Sequence, residues 1–552
     1  RLPADLLDAE APSPAWHNHA PGLRFSELDL AGNVALEDFD GDGLLDLLTS
    51  SFGPLQTMRL YLNMGDGWFC NASNASNVSS IPSVLGFATA DYDNDGDVDV
   101  FAPRGAWMGL DGNIRDSLLR NDGEGRFTDV AIAAGLTGAD VDGPTQVGAW
   151  ADYDNDGLVD LFVGREDQET VVVGRRPSSL YRNLGDGTFQ DVGRAAGVSS
   201  SGFVKGASWL DYDDDGDPDL YVSSLRGVDR LYRNNGDGTF TDRAVALGVT
   251  EPVKSFPSVP IDYDQDGRLD LFVAAFTNNY GGGGPLDPVY FQSMESFLDH
   301  LLGNPIDPAF AETSHLYRNT GTGFVDVTAE VGLDDIHATM GLSVGDFNMD
   351  GYPDLYLGTG APEYDALEPN VAYLNQAGRA FHNVTTDMRV GNLQKGHGIS
   401  FGDVDEDGDE DLAVEMGGAF PGDGAFMSLY ANPTNTADTR THHAVTLRLQ
   451  GVQSNRSAIG ARVQVVTPTR TFHHLVGQTG SFGANSLQVE VALAEATEIT
   501  HVEIRWPSGL VERVTAVPLD AIVELREGAG IAGSRPYAPF HLRGGPTGGH
   551  GE

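Results

Sequence analysis

The stretch Asp91-Tyr92-Asp93-Asn94-Asp95-Gly96-Asp97-Val98-Asp99 places carboxylates at positions 1, 3, 5 and 9 of one turn. Oxygen ligands at those spacings converge on a single hard cation, Ca²⁺, when the chain reverses sharply, and a glycine at position 6 allows that reversal. The same D-x-D-x-D-G-x-x-D spacing returns at Asp38, Asp40, Asp42 and Asp46; at Asp152, Asp154, Asp156 and Asp160; at Asp211, Asp213, Asp215 and Asp219; and at Asp262, Asp264, Asp266 and Asp270. It returns again at Asp346, Asn348, Asp350 and Asp354, and at Asp403, Asp405, Asp407 and Asp411. An EF-hand needs a bidentate Glu at position 12 and flanking helices. Position 12 here is Thr49, Ala102, Val163, Val222, Val273, Leu357 or Val414, so that reading fails in every copy. Each loop instead runs into an apolar, β-rich stretch such as Leu161-Phe162-Val163, and is expected to join two strands.

A second landmark recurs between the loops. Leu180-Tyr181-Arg182-Asn183-Leu184-Gly185-Asp186-Gly187-Thr188-Phe189 returns as Leu231 to Phe240 and, with variation, in four further places. Asn-x-Gly-Asp-Gly between apolar runs predicts a tight hairpin. One unit therefore reads strand, acidic loop, strand, connection, strand, hairpin, strand. The loops start 53, 61, 59, 51, 84 and 57 residues apart. Four strands at that period define a propeller blade, so the expected fold is all-β, a seven-bladed β-propeller over residues 26–432. The last unit ends near Leu429-Tyr430-Ala431 without a fourth strand. Residues 1–25 form an N-terminal segment expected to help close the ring, with Phe25-Ser26-Glu27-Leu28 as the candidate strand.

The long spacer after the fifth loop marks an insertion at 276–314. Tandem N-x-S sequons at Asn71, Asn74 and Asn77, with others at Asn383 and Asn455, would be glycan acceptors in a eukaryotic secretory protein. Residues 433–440 read as a linker, 441–528 as a small β-sandwich, and 529–552 as a flexible Gly- and Pro-rich tail. Cys70 is the only cysteine, so no intrachain disulfide forms and metal is the expected staple. Seven Ca²⁺ would reduce the formal charge of -48 by 14 and leave the protein strongly acidic, which disfavours nucleic acid and anionic membrane surfaces. No apolar run is long enough to span a bilayer. Loops of this type suit millimolar Ca²⁺, outside the cytosol.

These residues carry a resemblance. The acidic repeats resemble the FG-GAP/VCBS calcium-binding propeller repeats, shared in outline with integrin α-subunit heads. Ser454-Asn455-Arg456-Ser457-Ala458-Ile459-Gly460-Ala461-Arg462-Val463 and Arg505-Trp506-Pro507-Ser508-Gly509 resemble the ASPIC/UnbV domain. Together they are similar to the cartilage acidic protein family and its bacterial members. Gly480 to Leu493 departs from that pattern, lacking a Phe-Gly-Leu-Gly phrase. The resemblance implies a secreted or cell-surface adhesion, matrix or assembly protein with about seven structural Ca²⁺ and protein or carbohydrate partners.

Catalytic constellations are weaker. Gly341-Leu342-Ser343-Val344-Gly345 and Gly398-Ile399-Ser400-Phe401-Gly402 match G-x-S-x-G, yet both run into an acidic loop instead of a helix, so their small residues are expected to serve packing. His337 and His397 lie near strands that could line the propeller channel, and they define the site of the alternative reading, a carbohydrate lyase or dehydratase. A further alternative is a subunit of a surface or extracellular filament. The residues favour a non-enzymatic role.

Overall fold

The computed structural model describes residues 15–23, 25, 27–136, 143–166, 176–200, 202–276, 312–361, 367–477 and 482–543. Seven of its sheets are four-stranded, antiparallel and built one per acidic loop. Blade 3 shows how the sequence makes the unit. Its strands are Thr145–Ala151, Asp160–Arg165, Ser179–Asn183 and Phe189–Asp191, with the acidic loop joining the first two. The second strand is buried along its whole length. Leu161 and Val163 pack with Phe101 of blade 2, whereas Phe162 packs with Val204 and Leu220 of blade 4. Alternate side chains therefore serve opposite neighbours, and a strand covered on both faces reads as a continuous apolar run. Each such side chain, fully buried, contributes on the order of 2 kcal/mol.

The ring closes through the N-terminal segment. Its strand is His17–Asn18, paired with Tyr430 and Ala431 in blade 7, and not Phe25–Leu28. Asn18 fits the edge because its Nδ2 donates to Ser428 Oγ at 2.8 Å, and Trp16 meets Phe347 edge-on. Phe25 belongs instead to the core between blades 7 and 1, against Tyr61. Most of the expected insertion, residues 277–311, lies outside the described residues.

In blades 3 to 7 the innermost strand slips register near its start, at Gln146, Lys205, Phe256, Met340 and His397. Each of these residues lies six before its acidic loop. A bulge re-aims a side chain, and here the re-aimed groups meet one another. Lys205 Nζ contacts Gln146 Oε1 and lies over the Phe256 ring, while Phe256 and Met340 share one apolar cluster. Residues from separate blades can do this only near the ring axis.

The second domain is a sandwich of two four-stranded sheets. One has the spatial order Val489–Ala492, Ala444–Gln450, Ala521–Arg526, Gly530–Pro536, with its central pair parallel. The other runs Thr471–Leu475, Arg462–Val466, His501–Arg505, Val511–Val514. Trp506, Phe472, Val463 and Leu447 share its core. Gly530–Pro536 corrects the expectation of a flexible tail from 529. Glycine and proline hide this strand in the sequence, but at a sheet edge both are tolerated. The chain then returns to the propeller, where Leu542 is buried with Leu23 and Arg543 lies over the Trp68 ring.

Candidate functional site

Each acidic loop is folded by its own carboxylates. In the second loop Asp91 accepts the N–H groups of Asp95 and Gly96 at 3.0 and 2.8 Å, and Asp95 accepts that of Asp97 at 3.0 Å. The Asp346 and Asp403 loops repeat this turn. In the four loops from Asp91 to Asp270, positions 1, 3 and 9 each bring one oxygen within 4.8 Å of the others; in the first loop Asp38, Asp40 and Asp42 do so. Position 3 supplies the most telling atoms. Oδ1 of Asp93, Asp154, Asp213, Asp264 and Asp405 is buried without a hydrogen-bond partner. Burial, with Asp93 and Asp91 adding, pushes Asp99 up to about 9, and burial with Asp264 and Asp262 adding does the same to Asp270. Converging, unpartnered oxygens of one charge fit a hard cation, which would satisfy the atoms that no donor reaches.

Position 9 has a second duty that the motif alone did not reveal. Asp99 accepts the N–H of Tyr92 at 3.2 Å and that of Asn121 at 2.8 Å, tying the loop to the third strand. The Asn121 side chain then donates to Phe39 O, in the loop of the preceding blade, at 2.8 Å. Asn183, Asn234, Asn319, Asn375 and Asn432 repeat this bond to Tyr92, Tyr153, Tyr212, Tyr263 and Phe347. Asn63 donates to Val404 O at 2.8 Å and completes the circuit. The sequence reading assigned these asparagines to hairpins alone; their position at the end of every third strand was the available signal.

The second domain sits on the loop face. Arg462 donates to Asp211 O at 2.6 Å and Gly267 O at 3.3 Å, and Arg470 to Asp350 O and Gly351 O at 2.7 and 2.8 Å. Arg448 and Arg535 both reach Gly43 O, and the Arg456 N–H donates to Asn94. Arg505 pairs with Asp214 at 2.6 Å. An acidic face thus meets guanidinium groups that grip loop carbonyls. A cavity of about 400 Å³ remains between the domains, lined by Glu410, Glu490, His473, His474 and Arg462 among others.

From the same domain a segment enters the channel. Glu490 accepts the N–H of Asp403 at the loop face. Deeper, Asn485 Nδ2 donates to Val344 O, and Ala484 forms a parallel bridge with Ala35. Deepest, the buried Phe482 stacks on Phe256 at 5.7 Å and meets Trp107 and His397 edge-on. The serines of the two G-x-S-x-G matches hold this segment: Ser343 Oγ donates to Asn485 Oδ1 and Ser400 Oγ to Ala484 O. Within the stretch that departs from the family pattern, residues 482–485 are therefore the plug of the channel.

The two candidate histidines do not come together. His397 is buried beside Phe482 and Trp107, and burial pulls it down to about 3, so it stays neutral. His337 lies two residues ahead of the Thr339–Gly345 strand and turns to Glu368 at 2.6 Å and Tyr373 at 2.8 Å. Of the sequon asparagines, Asn71, Asn74, Asn77 and Asn383 are exposed. Asn455 is 0% exposed, donating to Ile459 O and accepting the Ile459 N–H. As an acceptor it is withdrawn, because its side chain closes a buried turn.

The architecture is that of an acidic-loop β-propeller capped and plugged by a second β domain. Comparison with known proteins adds the repeat types: residues 38–102, 164–222 and 211–273 match the FG-GAP-like repeat, and residues 451–532 match ASPIC and UnbV. The chain carries both. It is similar to cartilage acidic protein 1 of Xenopus tropicalis, 27% identical over 29% of this chain and 24% of that protein. It is also similar to cartilage acidic protein 1 of Mus musculus, 25% identical over 44% of this chain and 42% of that protein. The aligned region thus spans less than half of each relative. Among solved structures, BBS1N in complex with ARL6DN aligns at 11% identity and a TM-score of 0.41, over 74% of this chain and 95% of that one.

Proposed function

We propose that this protein is a secreted, calcium-stabilised scaffold for adhesion, matrix or assembly, with protein or carbohydrate partners. The observation that carries the reading is the plugged and capped propeller. Residues 482–485 fill the channel, and the loops face a domain of the same chain. A lyase site between His337 and His397 would need those groups to converge on an open channel, and Phe482 stands there instead. The surfaces left for partners are the blade edges and the face opposite the loops. No helix among the described residues is long and apolar enough to cross a membrane. The similarity to cartilage acidic protein 1 supports an extracellular setting.

In this reading the side chains at positions 1, 3, 5 and 9 hold Ca²⁺, which supplies positive charge to each carboxylate cluster. Asp99 and its equivalents keep the loop joined to the third strand. Arg462 and Arg470 bind carbonyls whose positions depend on the loop turn, so loop order and domain docking are linked. Metal analysis paired with melting curves before and after EGTA tests this. About seven Ca²⁺ per chain and a large fall in melting temperature are expected. Protein free of calcium, or an unchanged melting curve, would refute the structural role of the ion.

A further inference from the structure

Where blades 3 and 4 meet, an amine, an amide and a carboxyl group are enclosed together. Gln146 is 0% exposed, and Lys205 and Glu166 are 1% exposed each. Lys205 Nζ lies 3.0 Å from Gln146 Oε1 and in direct contact with Glu166 Oε1. The other Glu166 oxygen accepts the Trp107 N–H at 2.9 Å. Phe203, Phe256 and Trp107 surround the amine, with ring centroids 4.6, 5.0 and 5.4 Å from Nζ. Gln146 Nε2 is buried with no hydrogen-bond partner.

As separate groups these three are costly. An ion pair enclosed by aromatic rings loses most of its hydration, and an unmatched amide donor adds a further penalty. Condensation of the amine with the amide removes the buried ammonium and the unmatched amide donor together. We propose that Lys205 and Gln146 form an intramolecular isopeptide bond, with Glu166 carrying the protons, so that blades 3 and 4 become covalently joined.

The step balances within the chain. Lys205 passes a proton to Glu166, and the free amine attacks Gln146 Cδ, forming a C–N bond. Glu166 protonates Nε2 and takes up a proton from the new nitrogen. The old C–N bond breaks and ammonia leaves, departing with the remaining proton as ammonium. Glu166 ends as a carboxylate, now facing the isopeptide N–H as well as that of Trp107. No oxidant, metal or co-reactant is needed. The terminal amide torsion of a glutamine is soft, so Cδ can turn toward an amine already touching its oxygen. The apolar surround favours the neutral amine that the attack requires, since burial lowers the affinity of Lys205 for its proton.

Peptide mapping of the folded full chain tests this. Tryptic digestion is expected to yield residues 127–165 joined to residues 195–226 through Gln146 and Lys205, lighter than their sum by one ammonia, with no cleavage after Lys205. The branched peptide must be found directly, because succinimide formation at Asn235-Gly236 loses the same mass. In Glu166→Gln the two peptides are expected to be linear. Linear peptides and cleavage after Lys205 in the folded wild-type chain would overturn the proposal, and a branch that persists in Glu166→Gln would overturn the part given to Glu166. The wild-type result decides the bond even if the variant fails to fold.

Discussion

Phe482→Ala tests whether the channel segment holds the two domains together. Phe482 is 0% exposed, and its ring stacks on Phe256 and meets Trp107 and His397. Truncating a buried phenylalanine removes its transfer energy and leaves a cavity, about 3–5 kcal/mol in all. The upper end is expected here, because the surrounding groups come from several blades and cannot collapse onto the gap without shifting strands. Phe426, 51% exposed, is the comparison; its truncation should cost under about 0.5 kcal/mol. The assay is urea unfolding in excess calcium, followed by tryptophan fluorescence and by far-UV circular dichroism. Coincident wild-type transitions would license a free energy. Phe482→Ala should move the midpoint down and separate the unfolding of the second domain from that of the propeller. A loss below about 1 kcal/mol, with the two transitions still coincident, would refute the idea that the plug couples the domains.

Three other perturbations probe separate features. Asn183→Leu leaves Tyr92 O and Val159 O without their side-chain donor, so denaturant unfolding should show a loss of about 2–5 kcal/mol; a change within the error of the melt would count against the asparagine circuit. Glu527 accepts the N–H groups of Val452, Gln453 and Ser454 and the Ser508 hydroxyl, and the Ser508 hydroxyl and these N–H groups hold it down to about 2 despite partial burial, against a usual 4.5. Its folded value is depressed, so its stabilisation is full above 4.5 and fades as the pH falls through about 2. The melting-temperature gap between wild type and Glu527→Gln should narrow over that range, and a gap independent of pH would refute the linkage. Glycopeptide mapping after secretion from a eukaryotic host should find glycans among Asn71, Asn74, Asn77 and Asn383 and none at Asn455; an occupied Asn455 in folded protein would contradict its burial.

The repeat architecture was legible because its signals are local. A loop, a hairpin and a two-residue alternation each leave their mark within one unit, and seven copies reinforce one another. Position 9 was read only as a ligand, since its bonds to Tyr92 and Asn121 join segments that sequence spacing does not relate. The plug stayed hidden for a similar reason. Phe482-Gly483-Ala484-Asn485 has no periodicity, and only the assembled ring explains why Gly483 carries no side chain: a Cβ there would lie 1.6 Å from Ile399 O. The G-x-S-x-G serines were rightly assigned to blade strands, yet their partners lie at Ala484 and Asn485, far along the chain. His397 and His337 were paired by proximity in the repeat, but the intervening residues turn them to different neighbours.

The circuit of blades also sets an order of manufacture. A ribosome makes His17–Asn18 some four hundred residues before its partners Tyr430 and Ala431, and the segment that fills the channel later still. Until then the nascent chain carries a first blade without its neighbour and inner strands without their central filling. Contacts this distant in sequence are slow to form and leave apolar surface open meanwhile. The half-made protein is thus the vulnerable one, and the many aspartates that shape the finished loops also keep the growing chain charged and in solution while it waits.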